Sequence, residues 1–317
     1  MRQRLISIAT WAYLAGVVLY ALGLGLIGER WWLTTAALYL PHVALLAPAV
    51  PLVSLLALVG RRQLVWVPMV AAVVVLFPIM GLVVLGGAEE PSGTPRLRVL
   101  SYNIDSGRRS QPQLAAEIVG PRPDLVLLQE GDQQVGDAIT ALLPDHVRRA
   151  DGQFYIASRW PIVEVFNPPP LVLRGAERTP RFVRYTLDTP LGRLDVFNVH
   201  PVSPRDGFER DQTDLRRAQA TAVAALARTS TNPVIIAGDT NLPSRSGILA
   251  DTLGQFQDGF DEVGRGFGYT FPAHTRFAWM RIDRIFANRK LRFLSFDVGA
   301  RHGSDHYAVW ADLELRR

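Results

Sequence analysis

The chain has 317 residues, with 34 basic and 29 acidic side chains, and its formal net charge at neutral pH is +5. Five basic and three acidic residues precede position 95, which leaves 29 basic and 26 acidic residues after it, a smaller excess than dedicated nucleic-acid binders usually concentrate in their folded domain. The absence of cysteine excludes disulfides, thiolate metal sites and a cysteine nucleophile.

Three stretches in the first third of the chain contain no charged residue, namely 5–27, 31–60 and 63–87. Each exceeds the roughly 20 apolar residues that cross a hydrocarbon core, whereas a cleaved signal peptide has a shorter core and no spans behind it. They predict a transmembrane anchor of about three helices over residues 1–88. Pro41, Pro48 and Pro51 predict that the second span is bent, broken or re-entrant. We interpret His42, which has no acidic partner in that span, as a neutral interfacial histidine.

Arginine placement predicts the orientation of the anchor, because positive charge is retained on the cytoplasmic side of a membrane. On one side of the predicted spans lie Arg2, Arg4, Arg61 and Arg62. On the other side, Arg30 lies beside Glu29, and Glu89 and Glu90 follow the last span. The N-terminus is therefore expected inside. With three spans, the rest of the chain is expected outside the cytoplasm, at the inner membrane of a bacterial cell.

Residues 89–95 have the glycine, proline and polar content of a linker, and residues 96–317 read as a second domain with strand-like and helix-like segments. Strands are predicted at 96–104, 123–130, 152–157, 182–187, 193–200, 234–237, 280–287 and 306–315. Helices are predicted at 113–119 and at about 214–228. Polar side chains recur at the strand ends, where groups distant in sequence can converge on one pocket.

A set of acidic, amide and histidine side chains at these strand ends is the candidate active site. Taken singly, each is more readily explained as a turn, cap or structural residue, but their joint occurrence in order favours chemistry. The set is Asn103, Asp105, Glu130, His200, Asp239, Asn241, Asp283, Asp305 and His306. Carboxylate and amide oxygens suit a hard cation such as Mg²⁺ or Mn²⁺, and clustered histidines are too few for zinc. Glu130 is the first candidate ligand, with Asn103, Asp105 and Asp305 around it.

Six short blocks in this order are similar to the signature blocks of the endonuclease/exonuclease/phosphatase superfamily. They are SYNID (101–105), LLQE (127–130), NVHP (198–201), AGDTN (237–241), RIDRIF (281–286) and SDH (304–306). The resemblance covers roughly residues 95–317 and implies an α/β fold, a four-layer αββα sandwich. It also implies a metal-dependent phosphatase or phosphodiesterase, with Mg²⁺ or Mn²⁺ as the cofactor.

The same resemblance implies roles for five residues. Asp239 would orient and deprotonate the attacking water, and Asn241 would donate a hydrogen bond to the phosphoryl oxygens. His306 would face the phosphate, with Asp283 raising its pKa so that the imidazolium stabilises negative charge. His200 would be a further phosphate contact or the acid for the leaving oxygen. No covalent phosphoenzyme is expected.

Several neighbouring residues keep two interpretations. Substrate phosphate binding and surface ion pairing are both open for Arg181, Arg184 and His274. The YTFP segment (269–272), followed by Trp279, forms either a substrate-side loop or a core aromatic cluster.

The three spans followed by this domain resemble the VanJ-type bacterial membrane phosphatases, which act on polyprenyl pyrophosphate. We therefore expect a membrane-anchored, Mg²⁺-dependent phosphoester hydrolase acting on a lipid phosphate or polyprenyl pyrophosphate. Its expected partners are the lipid bilayer and a phosphorylated lipid, and no protein partner is predicted. The alternatives are an extracytoplasmic nuclease, which the charge balance disfavours, and a phospholipase C- or sphingomyelinase-like phosphodiesterase. A non-catalytic binding module is disfavoured by the intact set of acidic and histidine positions.

Overall fold

The computed structural model describes residues 1–300 and 303–316, and its first part, the N-terminal helical region (residues 1–79), consists of apolar helices. The helices are α1 (Arg2–Leu22), α2 (Trp32–Ala37), α3 (Ala49–Leu58) and α4 (Trp66–Val74). Turns of π and 3-10 helix extend α1 to Arg30, and a π turn extends α4 to Ile79. Two helical runs, Arg2–Arg30 and Arg62–Ile79, are long and apolar enough to cross a membrane.

The second predicted span is a chain of short helices. Pro41 separates α2 from a 3-10 turn at His42–Leu46, and Pro48 precedes α3, since proline lacks the amide hydrogen that a continuous helix needs. The pieces still run antiparallel to α1. Their contacts with α1 are Tyr20 Oη to Ala37 O at 3.1 Å, Tyr13 Oη to Leu45 O at 2.8 Å, and Gln3 Nε2 to Val59 O at 2.9 Å.

Residues 80–95 connect the helical region to the C-terminal domain without forming a helix, so the third helix ends earlier than predicted. Pro78 removes a helix donor, and Gly81 adopts a positive φ of 74°. The connection does not hang free. Glu89 N donates to Leu294 O at 2.7 Å, and the Glu89 carboxylate pairs with Arg292 at 3.0 Å.

The C-terminal domain contains two six-stranded sheets. The first has the order β13 (Leu291–Val298), β14 (Val309–Leu315), β1 (Arg96–Asn103), β2 (Leu125–Gln129), β4 (Phe154–Ser158) and β3 (Val147–Asp151). The second has the order β11 (Gln257–Asp258), β12 (Asp283–Ala287), β10 (Val234–Asp239), β9 (Gly192–Val199), β8 (Phe182–Thr189) and β5 (Ile162–Phe166). A small hairpin pairs β6 (Leu171–Leu173) with β7 (Ala176–Arg178). The pairs β1–β2 and β9–β10 are parallel.

Helices cover the outer faces of the two sheets. The covering helices are α5 (Gln111–Val119), α6 (Gln133–Thr140), α7 (Arg210–Thr229) and α8 (Gly247–Leu253), whereas α9 (Gly259–Val263) packs Phe260 and Val263 into the core between the sheets. Side chains such as Leu127 and Val196 fill the core between the sheets. Ile118 of α5 packs on the first sheet, and Val223 of α7 packs on the second. The predicted four-layer αββα sandwich is therefore confirmed.

Candidate active site

The predicted site residues lie at one edge of the sandwich, where strands of both sheets end. Asn103 is the last residue of β1 and Glu130 follows β2 in the first sheet. His200 follows β9 in the second sheet, where Asp239 ends β10 directly opposite Asp283, the first residue of β12. Gly238 lets β9 and β10 approach closely, because a Cβ there would lie 2.0 Å from Val199 O. The position therefore requires glycine.

Asp239, Asp283 and His306 form a buried charged cluster. His306 Nδ1 lies 2.9 Å from Asp283 Oδ2, and its Nε2 lies 3.6 Å from Asp239 Oδ2. Burial lowers the pKa of His306, but the two carboxylates outweigh this effect and raise the pKa to about 10. Burial raises the pKa of Asp239 to about 7. The three side chains are close enough to hold a metal ion. Because Nδ1 of His306 is bonded to Asp283, we interpret these two residues as an imidazolium–carboxylate pair, with the partly protonated carboxyl group of Asp239 beside it.

A second group of side chains surrounds His200. Asn103 Nδ2 donates to Glu130 Oε1 at 3.0 Å and to Asp239 Oδ2 at 3.1 Å, and each of these oxygens lies 3.6 Å from His200 Nε2. His200 Nδ1 donates to Gln153 Oε1 at 2.8 Å, which leaves the lone pair of Nε2 facing the two carboxylates. Burial lowers the pKa of His200 to about 3, so the ring is neutral at physiological pH.

Asn241 is held by the Asp239 carboxylate and the Pro201 carbonyl. Its amide N–H donates to Asp239 Oδ1 at 2.8 Å, and its Nδ2 donates to Pro201 O at 3.0 Å. The residue adopts a positive φ of 51°, a conformation that asparagine tolerates better than most residues. Since an amide nitrogen has two hydrogens, the second Nδ2 hydrogen remains for another acceptor.

The structure pairs two of the predicted metal ligands with arginines. The Asp105 carboxylate lies 3.6 Å from Arg108 and 3.4 Å from Arg109. Asp305 pairs with Arg205 at 3.0 Å. Among the four predicted ligands, Asn103 donates to Glu130 through Nδ2 and accepts from Asp105 N, at 3.1 Å, through Oδ1. The ligand roles of all four residues stay predictions.

Five of the predicted site residues line a cleft of about 1320 Å³, namely Glu130, His200, Asp239, Asn241 and His306. Arg181 and Arg205 contribute positive charge to its rim, whereas Arg184 pairs with Glu164 and stacks on Phe166. Phe271 of the YTFP segment lines the cleft, with its ring centroid 4.8 Å from that of His306. Tyr269 of the same segment instead donates to Met80 O, at 3.2 Å.

Sequence reasoning missed Gln153, Arg205, Trp32 and Tyr39 as lining residues of this cleft. Gln153 lies in the turn between β3 and β4, where a glutamine carries no catalytic signature. Trp32 and Tyr39 lie in a segment whose apolar composition predicts a membrane span. A signal was present in the paired tryptophans at positions 31 and 32, because aromatic residues mark the ends of spans, but nothing in the sequence indicates their contact with the cleft.

Comparisons with a family model and with solved structures identify the family and the fold of the chain. The model of the Endonuclease/Exonuclease/phosphatase family matches residues 100–306, which include every strand-end residue named above. Among curated proteins, none matches the sequence.

Solved structures share the fold at low sequence identity. An endonuclease/exonuclease/phosphatase from Beutenbergia cavernae is 21% identical with a TM-score of 0.52, covering 69% of this chain and 72% of its own. A mannosyl-6-phosphatase from Bacteroides thetaiotaomicron is 19% identical with a TM-score of 0.54, covering 69% and 100%. D. rerio TDP2, in complex with a single-strand DNA product, is 19% identical with a TM-score of 0.55, covering 69% and 99%.

Proposed function

The chain belongs to the Endonuclease/Exonuclease/phosphatase family, whose members hydrolyse phosphoester bonds, and we propose that it is a membrane-anchored, metal-dependent hydrolase of a phosphorylated lipid. A polyprenyl pyrophosphate is the first candidate substrate. One observation carries the proposal: the catalytic cleft is lined both by Asp239 and His306 and by side chains of the apolar N-terminal helical region.

Asp239 is the proposed general base. Its pKa of about 7 is close to the pH at which a base is most effective, since it then both accepts a proton readily and is substantially deprotonated. The backbone of Asn241 fixes one carboxylate oxygen and Asn103 contacts the other, so the group is held in one orientation. It would take the proton from a water molecule that attacks the phosphorus.

His306 is the proposed stabiliser of negative charge. With its pKa near 10 the ring is an imidazolium at neutral pH, and the Asp283 hydrogen bond fixes its plane. A fixed cation stabilises the phosphoryl oxygens as charge accumulates on them. The free hydrogen on Asn241 Nδ2 would donate to the same oxygens. His200 is neutral, which makes it a poor candidate for the acid that protonates the leaving oxygen.

The residues around Glu130 fit a divalent cation. Glu130, Asp239 and the lone pair of His200 Nε2 present three electron-pair donors to one space. Carboxylate oxygens suit Mg²⁺ or Mn²⁺, and Glu130 is the residue proposed to hold it first. Asn103 Nδ2 donates to Glu130 and Asp239, so Asn103 orients these two carboxylates. When bound, such a cation neutralises phosphate charge and lowers the pKa of water.

The surface of the helical region supports its proposed role as a membrane anchor. Leu58, Val50 and Leu19 expose 82%, 73% and 68% of their surface. A band of exposed apolar side chains of this kind is typical of a surface that faces lipid.

The contacts between the two parts support an extracytoplasmic C-terminal domain. That domain contacts the helical region and the connection at Glu29, Tyr39, Met80 and Val83, which lie at the end opposite to Arg2 and Arg61 in the antiparallel packing. Positive charge is retained on the cytoplasmic side, so this arrangement favours a domain outside. A reporter fused to the C-terminus should be active outside the cytoplasm, and activity restricted to the cytoplasm would contradict the topology.

A substrate panel with purified full-length protein tests the function. Polyprenyl pyrophosphate in detergent micelles, a phospholipid, an inositol phosphate and DNA would be compared with and without Mg²⁺. We expect the polyprenyl substrate to be cleaved fastest and exhaustive chelation to abolish turnover. Asp239→Asn should lower turnover at least about a hundredfold and serves as the inactive control. Faster cleavage of DNA would favour a nuclease, and faster cleavage of the phospholipid would favour a phospholipase C-like enzyme.

A further inference from the structure

Part of the wall of the cleft is aromatic, and two of its aromatic residues come from the N-terminal helical region. Trp32, the first residue of α2, and Tyr39, which follows that helix, both line the cleft. Phe208 of the C-terminal domain completes this aromatic wall, with its ring centroid 5.6 Å from that of Tyr39. The aromatic wall is defined here as these three residues. We propose that it binds the hydrocarbon adjoining the phosphate of a lipid substrate, an inference that rests on the proposed function.

The aromatic wall is fastened to the catalytic machinery at several points. Tyr39 Oη donates to Asn241 O at 2.9 Å, and Asn241 N in turn donates to the Asp239 carboxylate. Trp279 Nε1 donates to Tyr39 O at 3.1 Å. These contacts connect the end of α2 to Asn241, which lies two positions after the proposed base Asp239 in the sequence.

The other end of α2 is fastened independently. The Glu29 carboxylate accepts from Gly247 N at 3.0 Å and from the Ser246 hydroxyl at the start of α8. Contacts on both sides of Trp32 in the sequence therefore hold the short helix beside the cleft. The helical region thus forms part of the substrate pocket as well as attaching the domain to the membrane.

The distribution of charge along the cleft matches an amphiphile. Arg181, and Arg205 beside Asp305, line the cleft, and their guanidinium groups suit an anionic phosphate. The Trp32 side chain remains 59% exposed and presents a broad apolar surface next to them. An aromatic ring at this position loses exposed area when an alkyl or isoprenoid chain lies against it. A lipid whose headgroup reaches Asp239 would place its first carbons there.

The test compares two substrates that differ only in their hydrocarbon. The ratio of kcat/KM for polyprenyl pyrophosphate in micelles to kcat/KM for methyl pyrophosphate measures recognition of the chain. Trp32→Ala in the full-length protein should lower this ratio about tenfold, the scale of apolar selectivity in enzyme pockets. Phe208→Ala should lower it similarly from the C-terminal domain, which covers the case in which a change in α2 disturbs folding. Trp66→Ala is the matched control, because Trp66 is a tryptophan of the same region with 51% exposure that packs on Trp11.

Each outcome decides the inference. A lower ratio for Trp32→Ala and Phe208→Ala, with the ratio kept in Trp66→Ala, would support the aromatic wall as the chain-binding subsite. The inference would be overturned if kcat/KM fell equally for both substrates, if the ratio were unchanged, or if Trp66→Ala lowered the ratio as much. None of these outcomes would contradict the proposal that the wild-type protein hydrolyses a phosphorylated lipid. If the wild-type protein cleaves methyl pyrophosphate but not the polyprenyl substrate, the proposed substrate class fails as well.

Discussion

Two buried histidines flank the Asp239 carboxylate, each with Nε2 3.6 Å from Asp239 Oδ2, and the two rings differ in charge. On one side, His306 donates to the Asp283 carboxylate and its pKa is about 10. On the other side, His200 donates to the neutral amide of Gln153 and its pKa is about 3. Both side chains expose only 6% of their surface.

The difference shows that neighbouring charges, rather than burial alone, decide which histidine is charged. Burial disfavours the imidazolium in both cases. At His306 the Asp283 carboxylate bonded to Nδ1 outweighs burial, whereas at His200 the positive charges of Arg181 and His306 lower the pKa further. His306 therefore supplies a positively charged ring for the proposed phosphate, and His200 supplies a neutral ring beside the proposed metal site.

Loss of the charged His306 ring should have the largest effect on activity. His306→Ala removes the imidazolium, so kcat should fall at least about a hundredfold, the scale seen when one stabilising group is removed. Steady-state kinetics at saturating Mg²⁺ would measure it. His146→Ala is the control, because His146 is buried against Pro123 O in the turn before β3. Near-normal turnover in His306→Ala would assign this residue to structure.

Glu130→Gln tests the proposed metal site beside the neutral ring of His200. The change keeps the size of the side chain but removes the negative charge proposed to hold the cation. The Mg²⁺ concentration for half-maximal activity should rise by at least about tenfold, as it does for weakened metal sites. Glu164→Gln, on a surface carboxylate that pairs with Arg184, should leave the titration unchanged. If Glu130→Gln does too, the ligand role passes to Asp105 or Asp305.

Asp283→Asn makes the partner of His306 resemble that of His200. The wild-type ring stays protonated up to pH 9 because its folded pKa is about 10, so activity should persist there. Without the carboxylate the pKa falls, and the alkaline limb of the pH profile should move down by at least about one unit. Asp251→Asn, on a surface carboxylate that pairs with Arg217, is the control. An unmoved limb would show that Asp283 does not set the protonation of His306.

Gln153→Glu makes the reverse change and should have the smallest effect. A carboxylate beside Nδ1 raises the pKa of His200 from about 3, so the ring becomes protonated as the pH falls. Relative to the wild type at the same pH, activity should be a few-fold lower at about pH 5 and should match it near pH 8. Gln153→Leu, which adds no charge, should lower the rate without this pH dependence. A Glu variant with the wild-type profile would mean that the charge state of His200 is irrelevant to turnover.

The strand-end residues could be predicted because their chemistry is written in short, ordered blocks. Glu130, Asp239 and Asp283 each adjoin a buried apolar strand, so the sequence gives both their type and their edge of the sheet. The pairing of Asp105 with Arg108 and Arg109 was not predicted, although the three residues lie within five positions of one another. Strand β3 was missed because its VRRAD sequence forms a partly exposed edge strand without apolar alternation.

The aromatic wall could not be predicted, because its contacts join residues that are far apart in the chain. Tyr39 and Asn241 are separated by 202 positions, and neither sequence neighbourhood has a feature that indicates the other. The prolines of the second span predicted a break in the helix, but only the fold determines that the freed segment turns toward the cleft.

The pinned connection at residues 89–92 has a kinetic consequence. Ser92 N donates to the Glu314 carboxylate, and Glu89 pairs with Arg292. These contacts restrict the movement of the C-terminal domain relative to the helical region. Under the proposed function, an enzyme held in this way would meet its lipid by diffusion within the plane of the bilayer. Its rate should then follow the mole fraction of substrate in the surface. Diluting the vesicles at constant composition should leave that rate unchanged, whereas adding inert lipid should lower it.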